Sequence, residues 1–233
     1  MRLQVFLSRA GICSRRAAKE LIKKYCVKIN GITVCDPSFK INPEQDKVFF
    51  KDKEITLKEK IYVVLNKPKG VTTTKKDPFA KKTVIDLLPK DLKHLNPCGR
   101  LDKDTTGLLI MTNDGDFLNR ITHPRFNIDK SYIAKINKPL VYKDARTIEK
   151  GVRLEEGLTA PCKIMIREKD LIEVTIHEGR KRQIKRIFKK LGYSVLDLKR
   201  VREGFLTLGG LREGKWRFIK RKEIEKYFSM HLD

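Results

Sequence analysis

Apolar positions near the start of the chain recur first at helical and then at alternating spacing. Leu3, Phe6, Leu7 and Ala10 fall on one face of a short helix that Gly11 ends. Ser14 is placed to N-cap a second helix, with Ala17, Ala18, Leu21 and Ile22 turned inward. Its other face carries Arg15, Arg16, Lys19 and Lys23. Residues 27–29 and 32–34 alternate around Asn30-Gly31, the strongest short hairpin signal. Residues 48–50 supply another strand, and the charged residues 51–60 read as a linker. Residues 1–60 are therefore expected as a small domain, and 61–233 as a second, larger one.

From Tyr62 onward strands alternate irregularly with shorter helices. Residues 62–65 and 108–111 are apolar runs suited to buried strands, and Asn113-Asp114-Gly115 is a turn signal closing the second. Short helices are expected from Val84 and from Asp116. Residues 132–136 and 171–176 alternate as half-buried strands. After Gly179 comes a helix with Ile184, Ile187, Phe188 and Leu191 inward. Strands outnumber helices and the helices do not follow each strand. The pattern predicts an α+β fold: a small N-terminal α/β domain, then a mixed, mostly antiparallel sheet.

Charge changes the picture. Lys and Arg number 53 against 29 acids, a formal net charge of +24. Such a surplus points to a polyanion, whether RNA, DNA or an acidic membrane surface. Residues 1–60 hold 14 bases and 7 acids, net +7, and residues 180–190 hold seven cations and no acid. No run of 18 apolar residues predicts a membrane span, and the first residues do not read as a secretory signal. Five cysteines without a C-x-x-C pair suit free thiols in a cytoplasmic protein. His94 and Cys98 lack a second pair for zinc, so no metal is expected. Gly209 to Lys215 fits phosphate-loop spacing, but Trp216 stands where Ser or Thr would hold magnesium. That segment reads instead as a Gly-rich hairpin before a strand at residues 216–219.

The residues from Gly99 to Gly115 concentrate the candidate chemistry. Asp102 lies on a loop entering the strand at 108–111, flanked by Arg100 and Lys103. A carboxylate among cations stays ionised and can attack or accept a proton. A turn or capping aspartate is the alternative reading of the same loop.

Gly99-Arg100-Leu101-Asp102, Thr105-Thr106-Gly107-Leu108-Leu109 and Thr112-Asn113-Asp114-Gly115 together resemble the signature of the RsuA-type ribosomal RNA pseudouridine synthases. Four further segments agree in order: residues 66–70, His123-Pro124 with Lys130-Ser131-Tyr132, residues 178–186, and residues 198–202 with 206–209 and 216–217. The likeness runs from about Tyr62 to Phe218. It implies that Asp102 is catalytic, that Tyr132 stacks on the base, and that Lys185 is the cation paired with the catalytic aspartate. It also implies that Leu198 lines the pocket, and that Arg100 fills the space left by the base or holds a phosphate. Arg180 and Arg182 would face RNA, and His123 is given no proton to move. Residues 1–50 resemble the RNA-binding domain named after ribosomal small-subunit protein four, through Ser14-Arg15-Arg16 and the Asn30-Gly31 hairpin. That likeness makes Ser14, Arg15, Arg16, Lys19, Lys23 and Asn30 RNA-binding candidates. One departure is that Tyr25 and Cys26 stand where the pattern has glycine and a base.

The implied reaction is an isomerisation, which calls for no cofactor or metal. The implied partner is ribosomal RNA, met by a monomer without a membrane. A non-catalytic RNA-binding or ribosome-assembly factor on the same fold is the alternative. A DNA-binding protein is a third reading, which lacks a recognition helix.

Overall fold

The computed structural model describes residues 1–229. They divide into two units: Met1–Ile61 with Asn113–Gly115, and Tyr62–Thr112 with the chain from Asp116 onward.

The first unit packs α1 (Leu3–Arg9) and α2 (Arg15–Tyr25) on β1 (Val27–Ile29), β2 (Ile32–Val34), β3 (Val48–Phe50) and β4 (Lys53–Ile55). The sheet runs β2-β1-β3-β4, antiparallel throughout. Ser14 caps α2 by accepting a hydrogen bond from the Ala17 N–H at 3.2 Å. Leu3, Phe6, Leu7, Ala18 and Ile22 meet Val27, Ile29 and Val48 in one core. Ala17 is exposed, not inward as its spacing suggested. Residues 51–60 are also not all linker. Lys51 and Asp52 both take positive φ, the geometry of a tight hairpin turn, and β4 folds back so that Ile55 joins the core.

The cysteines do not all remain the thiols that their spacing suggested. Cys26 and Cys35 form a disulfide, whereas Cys13, Cys98 and Cys162 stay outside any disulfide. Their Cα atoms lie 4.3 Å apart because α2 ends beside the end of β2. Cys26, one residue past the position where the pattern has glycine, adopts φ +51, ψ 171, a costly conformation for a residue with a Cβ. Tyr25 remains the last helical residue.

The second unit is built on one nine-stranded sheet. Its strands are β5 (Tyr62–Lys67), β6 (Asn96–Pro97), β7 (Thr106–Thr112), β8 (Lys130–Ile136), β11 (Lys163–Glu168), β12 (Leu171–Ile176), β13 (Val195–Glu203), β14 (Leu206–Thr207) and β15 (Trp216–Phe218); β9 (Arg153–Leu154) and β10 (Gly157–Leu158) form a separate ribbon. The main order is β11-β12-β8-β13-β7-β5-β15, with β6 on β7 and β14 on β13. Every pair is antiparallel except β13 with β7. Helices α3 (Gly115–Thr122), α4 (Tyr142–Lys150), α5 (Gln183–Lys190) and α6 (Arg221–Ser229) accompany it. Val64, Leu108 and Ile110 from β5 and β7 pack with Phe117 and Ile121 of α3 and Tyr227 of α6. The fold is thus α+β with a mixed, mostly antiparallel sheet.

The Gly-rich segment is a connection and not a hairpin. β14 before it pairs with β13, while β15 after it pairs with β5. None of the helices among the described residues is long and apolar enough to cross a membrane.

Candidate active site

The loop between β6 and β7 carries Arg100, Asp102, Lys103 and Asp104, and several elements pin its backbone. The Thr73 hydroxyl donates to the Leu101 carbonyl at 2.8 Å and accepts from the Leu101 N–H at 3.3 Å. The Gly70 N–H reaches the Lys103 carbonyl at 2.8 Å, and Thr105 N–H closes a turn on the Asp102 carbonyl at 3.0 Å. Lys67, at the end of β5, is fully buried and donates to the carbonyls of Pro68 (3.0 Å) and Lys103 (3.4 Å). Burial drags its ammonium pKa down to about 8, against the pull of Asp104, Asp102 and Glu213.

Gly107 explains how this loop meets the middle of the sheet. Its φ is +104, and a Cβ there would stand 2.2 Å from the Arg200 carbonyl oxygen. Only glycine lets β7 run this close to β13. In register, Gly107 faces Arg200, and Arg200 faces Tyr132 on β8. Three strands therefore bring the loop, a buried arginine and a buried tyrosine into one row.

Behind that row sits a fully buried ion pair. Arg200 Nε donates to the Leu108 carbonyl at 2.7 Å, and its Nη2 lies 3.2 Å from Glu203 Oε2. The charge of the Arg200 side chain also bears on the Tyr132 hydroxyl. Burial pushes the Tyr132 pKa up, and Arg200 counters it. Burial likewise pushes Glu203 up, against the pull of Arg200 and Lys130. Tyr132 is 9% exposed, so little of it meets solvent. Leu198, two residues before Arg200, is buried opposite Ala134.

The two loop carboxylates differ sharply. Asp104 is gripped by Arg182, whose guanidinium forks onto Oδ1 at 3.2 Å and Oδ2 at 3.1 Å, and by Lys185 Nζ at 2.7 Å. Although burial opposes it, these cations hold the Asp104 carboxyl down at about 2. Asp102 is half-buried and makes no ion pair or side-chain hydrogen bond among the described residues, although its charge is felt at Tyr132, Lys67 and Arg182. The expected pair between Lys185 and Asp102 is thus replaced by one with Asp104. Lys185 is one helical turn into α5 on the flank of Arg182, and both point to the same oxygen.

Other candidates scatter. Arg100 is exposed on the loop. Arg180, expected on RNA, is committed to architecture: it donates to Glu178 at 3.0 Å and to the carbonyls of Gly157 and Leu158, fastening the β9-β10 ribbon. Asn30 is also engaged, donating to Asp46 at 2.8 Å and accepting from the Lys47 N–H at 2.9 Å. Arg15, Arg16, Lys19 and Lys23 are all exposed on α2. His123 caps a short turn by accepting from the Arg125 N–H at 3.3 Å. Sequence reasoning missed Lys67, Asp104 and the Arg200–Glu203 pair. For Lys67 the signal was there: it ends an otherwise apolar strand.

Comparison with known proteins places these elements. Residues 61–190 match the family profile described as RNA pseudouridylate synthase, and residues 1–47 match the S4 domain. The chain is 39% identical over 231 residues to the ribosomal large subunit pseudouridine synthase B of Bacillus subtilis (strain 168), covering 97% of this chain and 94% of that one. It is 37% identical to the ribosomal small subunit pseudouridine synthase A of Yersinia pestis over the full length of both. A crystal structure of a pseudouridylate synthase superposes with a TM-score of 0.72 at 34% identity, covering 97% of this chain and 99% of that one.

Proposed function

Because this chain belongs to the RNA pseudouridylate synthase family, we propose that it isomerises a uridine of ribosomal RNA with Asp102 as the catalytic carboxylate. The bond from uracil N1 to ribose C1′ breaks, the base turns, C5 joins C1′, and the C5 hydrogen leaves as a proton while N1 takes one up. Asp102 serves as nucleophile or base in this exchange. The observation that carries the assignment is the contrast within the loop. Asp104 is neutralised by Arg182 and Lys185, whereas Asp102 makes no ion pair among the described residues and its charge is felt at Tyr132.

The target base must leave its stack, at a cost of a few kcal/mol. Tyr132 returns part of it, since an aromatic face on a base is worth roughly 1–3 kcal/mol. It is buried on β8 opposite Arg200, so packing holds its ring in place before the base arrives. Leu198 supplies an apolar wall, and exposed Arg100 holds a phosphate or fills the vacated stack. The exposed α2 face of Arg15, Arg16, Lys19 and Lys23 adds affinity for the RNA backbone. The ribosomal substrate rests on the names of the relatives and on the S4 domain.

Release of tritium from C5-labelled uridine in ribosomal RNA tests the reading. The wild type is expected to release it, and Asp102→Asn to release none while binding RNA within about threefold of wild type. Turnover by the asparagine variant would overturn the assignment of Asp102. RNA binding without turnover by the wild type would favour a non-catalytic factor.

A further inference from the structure

An open cleft of about 890 Å³ lies between the β9-β10 ribbon and α5. Its wall holds Arg153 on the ribbon and Lys181, Arg182, Arg186, Lys189 and Lys190 on and before the helix. Six cations face a single lining carboxylate, Glu155. Such a surplus is self-repulsive in the empty state and asks for an anion.

The arrangement follows from α5. Ile184, Ile187 and Phe188 bury one face of the helix, so Arg182, Arg186, Lys189 and Lys190 are left on the other at three- and four-residue spacing. From residue 182 to 190 the stripe is about 12 Å long, enough to meet more than one phosphate. Two of the cations are already engaged, Arg186 with Glu156 and Arg182 with Asp104. Arg153, Lys181, Lys189 and Lys190 are exposed and form no ion pair among the described residues. Arg182 takes φ +51, a left-handed conformation rare for a residue with a Cβ. It lines the cleft while its guanidinium rests on the loop that carries Asp102.

We propose that this cleft is a docking groove for the sugar–phosphate backbone of the RNA strand next to the target uridine. It is separate from the base pocket, with Arg182 at the junction of the two. The inference rests on the reading of Asp102 as the centre of a uridine isomerase. An open, cation-lined trough with one apolar side chain, Leu154, suits a backbone tracked by charge. Its interactions with phosphate are the same in ground and transition states, so they act on binding and not on the chemical step.

The test uses the full-length protein and a ribosomal RNA fragment that it modifies. Tritium release gives kcat and KM, and filter binding gives Kd, both across a salt series. Lys181→Glu/Lys189→Glu/Lys190→Glu and Arg153→Glu are compared with wild type, and Lys189→Gln/Lys190→Gln guards against misfolding of the charge reversals. The expected result is a KM raised about tenfold or more in the triple variant with kcat within about twofold. The slope of log Kd against log salt should flatten by about 0.7 for each phosphate no longer neutralised. Unchanged KM and unchanged slope would overturn the groove, and would leave its cations to an acidic protein partner instead. A wild type that binds but releases no tritium sinks the catalytic reading alone, because the salt slopes still decide the groove.

Discussion

Lys185 places its Nζ 2.7 Å from Asp104 Oδ2, two residues beyond the carboxylate assigned to the chemistry. Asp104 thereby acts as the anchor that keeps both Lys185 and Arg182 at the edge of the reacting centre. Asp104→Asn should release both cations. Misplacement of this kind is expected to lower kcat about 10- to 100-fold. RNA affinity and the thermal midpoint should change little, because Asp104 is partly open to solvent. Asp104→Glu, which keeps the charge, should recover part of the rate. A full rate in the asparagine variant would reduce the pair to a surface interaction.

The charge of Arg200 bears on both Glu203, its ion-pair partner, and the Tyr132 hydroxyl in a dry interior. Tyr132→Phe keeps the stacking face but takes a polar group from beside the buried arginine. A stability loss of about 1–3 kcal/mol should be measured in chemical denaturation, with a lower kcat. Tyr132→Ala should lose activity outright by removing the platform. Glu203→Gln leaves a buried cation uncompensated and should cost about 3–5 kcal/mol. Normal turnover by the alanine variant would show that the tyrosine only packs.

Lys67 titrates far below its ordinary value of 10.5, at about 8. Between those two values the unfolded chain holds a proton that the folded chain has released. Stability contributed at this site must therefore rise as pH climbs from about 8 to 10.5, by an amount on the order of 3 kcal/mol. Below pH 8 the amine is protonated in both states and the burial penalty is felt in full. Lys67→Met should abolish this dependence. Denaturation midpoints of the two proteins across that range provide the check; parallel curves would refute it.

The exposed cations of α2 should act on affinity alone. Arg15→Glu/Arg16→Glu is expected to weaken RNA binding and flatten its salt dependence by about 0.7 to 0.9 for each phosphate set free. The fold should persist, because neither side chain enters the core. Equal slopes for variant and wild type would leave the face merely solvated.

Much of the fold is legible in the sequence wherever one side of an element is continuously apolar. Residues 171–176 alternate over their first half and form β12; Leu3, Phe6 and Leu7 line up and form α1. α4 escapes notice because it buries only Ala145 and Ile148, too few to print a period. β4 hides because its lone core residue, Ile55, sits among charges. The site divides the same way. Asp102 stands out through the motif around it, but which aspartate the cations of α5 meet depends on how the loop turns. Arg200 and Glu203 read as polar strand positions, and only the sheet's centre makes them an interior pair.

The central place of β13 carries a consequence for how the enzyme comes into being. β8 and β7 flank it, so the two halves of the sheet have no hydrogen-bonded bridge until residues 195–203 are made. Gly107 waits for Arg200 across most of the catalytic unit. Such distant pairing is slow and comes late. A chain emerging from the ribosome holds its motif loop long before it holds an active site, and any product cut short of residue 195 is born without one. Catalysis is thereby withheld until the strand at residues 195–203 has been translated.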